Sequence, residues 1–162
     1  MTVSNAAGWI VHKFGGSSVA DADCFRRVAA ILAERPAGRL AVVLSACKGV
    51  TDTLLDVVHA AAEGRDTATA LDALRRQHAE IAQELLPAAG ANGFLLAFDQ
   101  DLDALRAALA TARAARRAEQ ATLDVVAGYG ELWSTRLFSE FFAAQALRPG
   151  AVRWFDARDV LV

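Results

Sequence analysis

The sequence predicts an α/β fold built on a parallel sheet, and three features carry that prediction. Trp9 to Phe14 is a short β-prone run that stops at Gly15-Gly16. Ser17 to Glu34 then places Phe25, Val28, Ile31 and Leu32 at helical spacing. Leu40 to Leu44 is a continuous apolar run of strand length, the pattern of a strand covered on both faces. Strand, turn, helix and strand in that order form a βαβ unit, whose crossover is right-handed into a parallel sheet.

The remaining elements follow in order. Pro36 and Gly38 close the first helix. After the loop Ser45 to Val50, Thr51-Asp52 supplies an N-cap for a helix through about His59 or Ala61, ended by Gly64. Thr67 to about Leu86 and Phe94 to about Arg117 are rich in Ala, Leu and Arg with helical periodicity. Pro87, Gly90 and Gly93 punctuate them, which predicts an antiparallel helical hairpin. Leu123 to Ala127 is strand or helix by periodicity, and helix is preferred. Glu131 to Leu147 is an amphipathic helix with Leu137, Phe138, Phe141 and Phe142 inward, stopped by Pro149-Gly150. Ala151 to Phe155 reads as a third strand.

Composition narrows the function classes. A chain of 162 residues, 54% apolar and 22% charged, suits one globular domain. Its 17 basic and 19 acidic side chains balance to −2, without the basic excess of a nucleic-acid surface. Cys24 and Cys47 are isolated, with no CxxC pair, which suits a reducing compartment. Met1 to Ala7 lacks a positive n-region, and no run is long enough to span a bilayer. The expectation is a cytoplasmic protein without nucleic-acid or membrane partners.

Chemistry concentrates at Lys13-Phe14-Gly15-Gly16-Ser17-Ser18-Val19, between the first strand and the first helix. Two glycines let a ligand approach the backbone and expose N–H groups. A helix N-terminus adds free donors and a positive dipole end, the serines can cap it, and Lys13 brings a full positive charge. This is a phosphate site in kind. It is neither a Walker loop, since the lysine precedes the glycines, nor a GxGxxG turn.

The string Lys13 to Ala20 resembles the opening of the aspartokinases, a branch of the amino-acid kinase superfamily. That resemblance implies a three-layer α/β/α sandwich with a parallel sheet, present here in part. It implies that Lys13 contacts the transferred phosphate, while the loop of Gly15, Gly16, Ser17 and Ser18 cradles the nucleotide's phosphates. Val42-Val-Leu-Ser-Ala-Cys-Lys-Gly-Val-Thr51-Asp52 is similar to a second family segment, which implies Ser45 beside the phosphoryl-transfer site and Thr51 on the aspartate substrate. Both loops follow the carboxyl ends of strands, where open parallel sheets bind ligands. Gly130-Glu131-Leu132-Trp133-Ser134-Thr135 resembles a third segment, whose glutamate engages the substrate's α-amino group. Read as the start of a helix, it would also place Glu131 in a first turn, where the dipole favours a carboxylate. Trp154-Phe155-Asp156 is similar to a family strand. Lys48, His12, His59, His78, Arg75-Arg76 and Arg113 to Arg117 receive no catalytic role, and the arginines read as solvated helix faces.

The activity so implied is ATP-dependent phosphorylation of the L-aspartate side-chain carboxylate to 4-phospho-L-aspartate, which feeds lysine, methionine and threonine synthesis. ATP and Mg²⁺ are the expected cofactors, and the parent is expected to be a homo-oligomer, in some forms fused to a second enzyme. Residues 1–162 are expected to be the N-terminal portion of the catalytic domain, with a helical insert at about 67–117. The later nucleotide-binding portion and regulatory ACT domains fall outside, so the chain alone should be inactive. Two alternatives remain: a naturally short phosphate- or aspartate-binding module without turnover, or another amino-acid kinase acting on glutamate or carbamate.

Overall fold

A computed structural model describes residues 8–35, 38–147 and 152–159. Strands β1 (Trp9–Phe14) and β2 (Arg39–Leu44) pair in parallel, from Trp9 opposite Arg39 to Phe14 opposite Leu44. The crossover between them is not one helix from Ser17. A 3₁₀ turn spans Gly16–Val19, and α1 (Ala22–Ala33) begins afresh. Asp21 is the reason. Its extended backbone breaks the helix, and its carboxylate accepts the Cys24 N–H at 2.8 Å, capping α1. The same hydrogen bond from the Cys24 backbone holds the Asp21 carboxyl below its ordinary range.

Four further helices follow: α2 (Val50–Ala62), α3 (Ala68–Leu85), α4 (Ala88–Ala115) and α5 (Gln120–Ala144). At α2 the expected Thr51-Asp52 cap is replaced by Gly49, whose φ of +80° suits glycine, so Thr51 lies inside the helix. Pro87 starts α4, which then runs straight through Gly90 and Gly93. An interior glycine costs about 1 kcal/mol against alanine. Burial of Ala91, Phe94 and Phe98 across the same turns outweighs that. α3 and α4 form the predicted antiparallel hairpin, tied by Arg75, whose guanidinium grips Asp99 at 2.6 and 2.8 Å. Arg113 donates to the carbonyls of Gly64 and Arg65 at 3.0 and 2.6 Å, binding the end of α4 to the turn after α2. Neither arginine is merely solvated.

The largest departure is α5. Leu123 to Ala127 is helical, as preferred, but it is continuous with the helix expected to start near Glu131. Gly128 and Gly130 do not interrupt it, because Val126, Tyr129, Leu132, Trp133, Leu137 and Phe138 are all buried along its length.

Phe14, Leu40, Val42 and Leu44 on one face of the sheet join the core with α1 and α5. On the other face Trp9, Val11 and Val43 stay exposed, so the expected cover on both sides is not met by the described residues. The expected third strand is also absent among them. Ala151 lies outside the described residues, and 152–156 makes no ladder. That segment instead docks through Trp154, whose indole N–H donates to Thr135 Oγ1 at 2.9 Å beneath Arg136. The Met1 to Ala7 leader reading, Pro36 and Pro149-Gly150 lie outside the described residues as well. Among the described residues, no helix is long and apolar enough to cross a membrane.

Trp133 is fully buried where α3, α4 and α5 meet, 4.2 Å from the Phe98 ring and 5.3 Å from that of His78. His78 is fully buried too. Its Nδ1 lies 2.8 Å from the Leu74 carbonyl, and Nε2 has no partner. Burial lowers its pKa to about 4. An unfolded histidine titrates near about 6.5, so the unfolded chain binds the extra proton between the two values. Stability is therefore full above about pH 6.5 and falls toward pH 4, by about 3 kcal/mol from this group. Urea melts of the chain at pH 7 and pH 4.5 should show a smaller difference for His78→Leu than for wild type. Equal differences would remove His78 as the source.

Candidate active site

The parallel register brings the carboxyl ends of β1 and β2 side by side, and the Ser45 N–H extends the ladder by donating to the Phe14 carbonyl at 3.0 Å. The loop Ser45 to Gly49 then turns into α2 across the end of β1. Its second residue, Ala46, is where the three sequence motifs meet.

Gly16 packs on this loop so closely that a Cβ there would stand 2.8 Å from the Ala46 carbonyl oxygen. Gly130 approaches from α5, where a Cβ would stand 2.6 Å from Ala46 Cβ and 3.2 Å from Val50 Cγ1. One turn along the same helix face, Ser134 is fully buried and donates to the Ser45 carbonyl at 2.8 Å. Glu131 Oε1 accepts the Ala46 N–H at 3.3 Å. Small residues at these contacts let two backbones close on a third, as side-chain-bearing residues could not.

Lys13 is exposed at the end of β1, and the half-buried His12 turns to the opposite face, as strand alternation requires. Gly15 has φ −79° and ψ 171°, values any residue adopts, and nothing lies within 4 Å of where its Cβ would be. The space above it is open to a ligand. The Ser18 N–H donates to the Gly15 carbonyl at 2.8 Å and closes the 3₁₀ turn. Ser17 is exposed, and its carbonyl faces the Cys24 thiol at 3.6 Å. Neither serine caps α1, since Asp21 does so, and the dipole of α1 is already met by that carboxylate. The phosphate-binding reading of this turn rests on Lys13 and the open glycine.

Thr51 is half-buried in the first turn of α2, one residue beyond the Val50 side chain that touches Gly130. Lys48 is exposed. Glu131 sits in the middle of α5 and not in its first turn, so the dipole does not assist it. Its place is set by Gly130, the residue read from sequence as opening that helix. Ala46, Gly130 and Ser134 stand in the quoted motifs, but sequence reasoning gave none of them a role of its own. Gly130 and Ser134 are spaced i, i+4, the signature of one helix face, which becomes informative once α5 is known to be continuous.

Burial pushes the Cys47 thiol up to about 12, which leaves it inert as a nucleophile. Both cysteines are free and buried. Among the described residues, no group of three or more His, Cys, Asp or Glu is placed to hold a metal ion. A close-packed glycine and a half-buried carboxylate meet at the Ala46 peptide, and the exposed Lys13 and the open Gly15 stand at the end of β1.

Comparison with known proteins adds a lineage to this geometry. The family model described as the amino acid kinase family matches residues 8–160. The chain is 36% identical over 156 residues to the chloroplastic bifunctional aspartokinase/homoserine dehydrogenase 1 of Arabidopsis thaliana, covering 95% of this chain and 17% of that protein. It is 37% identical over 159 residues to the bifunctional aspartokinase/homoserine dehydrogenase 2 of Escherichia coli K12, covering 98% of this chain and 19% of that one. The crystal structure of E. coli aspartokinase III in complex with aspartate and ADP matches with a TM-score of 0.72 at 33% identity. That match covers 85% of this chain and 29% of the other. The chain thus spans less than a fifth of the length of these bifunctional relatives.

Proposed function

The chain belongs to the amino acid kinase family, and from that premise we propose that it is the N-terminal portion of an aspartate kinase catalytic domain. The parent would transfer the γ-phosphoryl group of ATP to the side-chain carboxylate of L-aspartate. The observation that supports this reading is the meeting of Gly16, the loop from Ser45 to Val50 and the Gly130–Ser134 face of α5 at Ala46.

The acceptor carboxylate is already ionised at neutral pH, so no general base is needed. What the protein must do is hold two anions in line and stabilise charge spread over the moving phosphoryl group. Lys13 supplies positive charge at the strand end, and the open turn at Gly15 and Gly16 admits the phosphates, flanked by Ser17 and Ser18. Ser45 lies between that turn and α5. Glu131 takes the substrate's ammonium group and Thr51 its α-carboxylate. Magnesium would enter on the nucleotide, neutralising phosphate charge, and no described residue of this chain is assigned to it.

Glu131→Ala in the full-length protein tests the assignment. Loss of one hydrogen bond to a charged group, about 1.5–3 kcal/mol, raises KM for aspartate about 10- to 100-fold while KM for ATP stays within about twofold. Hydroxylamine trapping of the acyl phosphate reads both constants. Equal effects on the two substrates would sink the role of Glu131, and no acyl phosphate from the wild-type parent would sink the function.

A further inference from the structure

We propose that Ser134 is a positioning residue that holds the Ser45–Ala46 peptide in place when substrate draws Glu131 away, leaving the Ala46 N–H as a donor to the substrate's carboxylate. The proposal rests on the aspartate kinase reading and adds to it a residue and a backbone donor.

Two of the contacts at Ala46 belong to one peptide unit. Its carbonyl, that of Ser45, accepts from Ser134 Oγ at 2.8 Å, and its N–H, that of Ala46, donates to Glu131 Oε1 at 3.3 Å. One helix face therefore grips both polar ends of a single peptide plane. The grips are unequal. Ser134 is fully buried and its bond is short, whereas Glu131 is half-buried and its bond is long. The serine hydroxyl has a second acceptor within reach, the Glu131 carbonyl at 3.2 Å on its own helix, yet it lies closer to the Ser45 oxygen.

An ammonium group competes well for Glu131. A charge-assisted bond between ammonium and carboxylate is roughly twice as strong as one from a neutral amide. Once the carboxylate turns to the ligand, the Ala46 N–H loses its partner while the same ligand brings an anionic group to the site. A backbone N–H held in a fixed direction suits that anion, because it needs no reorganisation on binding. Fixed direction is what Ser134 secures. Gly16 and Gly130 close on Ala46 from two sides and limit how far it can translate. Neither supplies a hydrogen bond to stop the peptide rotating.

The test uses Ser134→Ala and Ser134→Cys in the full-length protein. The cysteine variant keeps the size but offers a feeble donor, and it carries the test if the alanine variant does not fold. Two readouts are taken, with melting temperature as control. kcat/KM for aspartate should fall about tenfold in Ser134→Ala, the size of one lost hydrogen bond, with KM for ATP unchanged. Hydrogen–deuterium exchange of the ligand-free segment carrying Ala46 should quicken. A lower melting temperature with wild-type kinetic constants and wild-type exchange would mean that Ser134 only fills the core, and the proposal would fall. If the wild-type parent makes no acyl phosphate, the function reading fails by itself, and the exchange result, which needs no turnover, decides the role of Ser134.

Discussion

Gly130→Ala lowers the melting temperature by about 4–8 °C and, on the proposed function, should cut aspartate turnover in the parent about a hundredfold. The added methyl would stand 2.6 Å from Ala46 Cβ, while carbon atoms rest comfortably at about 3.5–4.0 Å. Ala46 Cβ is fixed to loop backbone and cannot swing aside as a longer side chain could. Overpacking of this kind costs about 3 kcal/mol at the upper end of its usual range. Alanine in mid-helix returns about 1 kcal/mol of that through propensity. The net loss of about 2 kcal/mol gives the stated shift for a domain of this size. Activity suffers more, because relief of the clash moves the loop carrying Ser45 by about 1 Å, enough to cost a hundredfold in rate. Circular dichroism melts and steady-state kinetics measure both effects. The double variant with Ala46→Gly should recover much of each, since it removes the atom that clashes. A Gly130→Ala protein that melts and turns over like wild type would refute the close approach.

Lys13→Ala separates the two effects. Its side chain is exposed at the end of β1, so removal should change stability by no more than about 0.5 kcal/mol. Turnover should nevertheless fall about 10²- to 10³-fold, the usual loss when one charged or hydrogen-bonding group at a transition state is deleted. The loss should sit in kcat with a smaller change in KM for aspartate, because Lys13 is proposed to act on the transferred phosphate and Glu131 on the substrate's ammonium group. An unchanged kcat would remove Lys13 from the reaction. With Gly130→Ala, the pair distinguishes a residue that builds the site from one that acts in it.

Much of this was legible in the sequence, and the failures share a cause. β1, β2 and α3 declared themselves through apolar pattern, because a strand-length apolar run or a helical stripe has few other uses. Gly16, Ser45 and Glu131, quoted from separate stretches of sequence, come together at Ala46 because β1 and β2 end side by side and α5 reaches them. What was misread is punctuation. The late helix was begun only at Glu131, yet Gly128 and Gly130 each cost only about 1 kcal/mol in a helix, less than burying Trp133 or Leu137 contributes. Asp21 was not weighed as a cap, so the first helix was begun too early. Thr51 was preferred as a cap because hydroxyls usually serve there, while Gly49 at positive φ made the turn instead. A glycine's part depends on what approaches it, and that partner can lie far away in the chain. Arg75 and Arg113 were read as surface charge for the same reason, their acceptors being remote in sequence.

The sheet face that the described residues leave uncovered bears on how this chain behaves in solution. Trp9, Val11 and Val43 form an apolar strip there, of the kind that invites one molecule to stick to another. Two cations interrupt it: Arg39, whose guanidinium lies 5.9 Å from the Trp9 ring centre, and Lys13, which alternates to the same side of β1 as Val11. Charge on such a surface discourages face-to-face stacking, as gatekeeper residues do beside exposed strands. The lysine assigned to phosphate chemistry thus also acts on colloidal behaviour, and deleting it strips one of those two charges from the strip. Its kinetic effect is cleanly read only where light scattering shows both proteins equally dispersed.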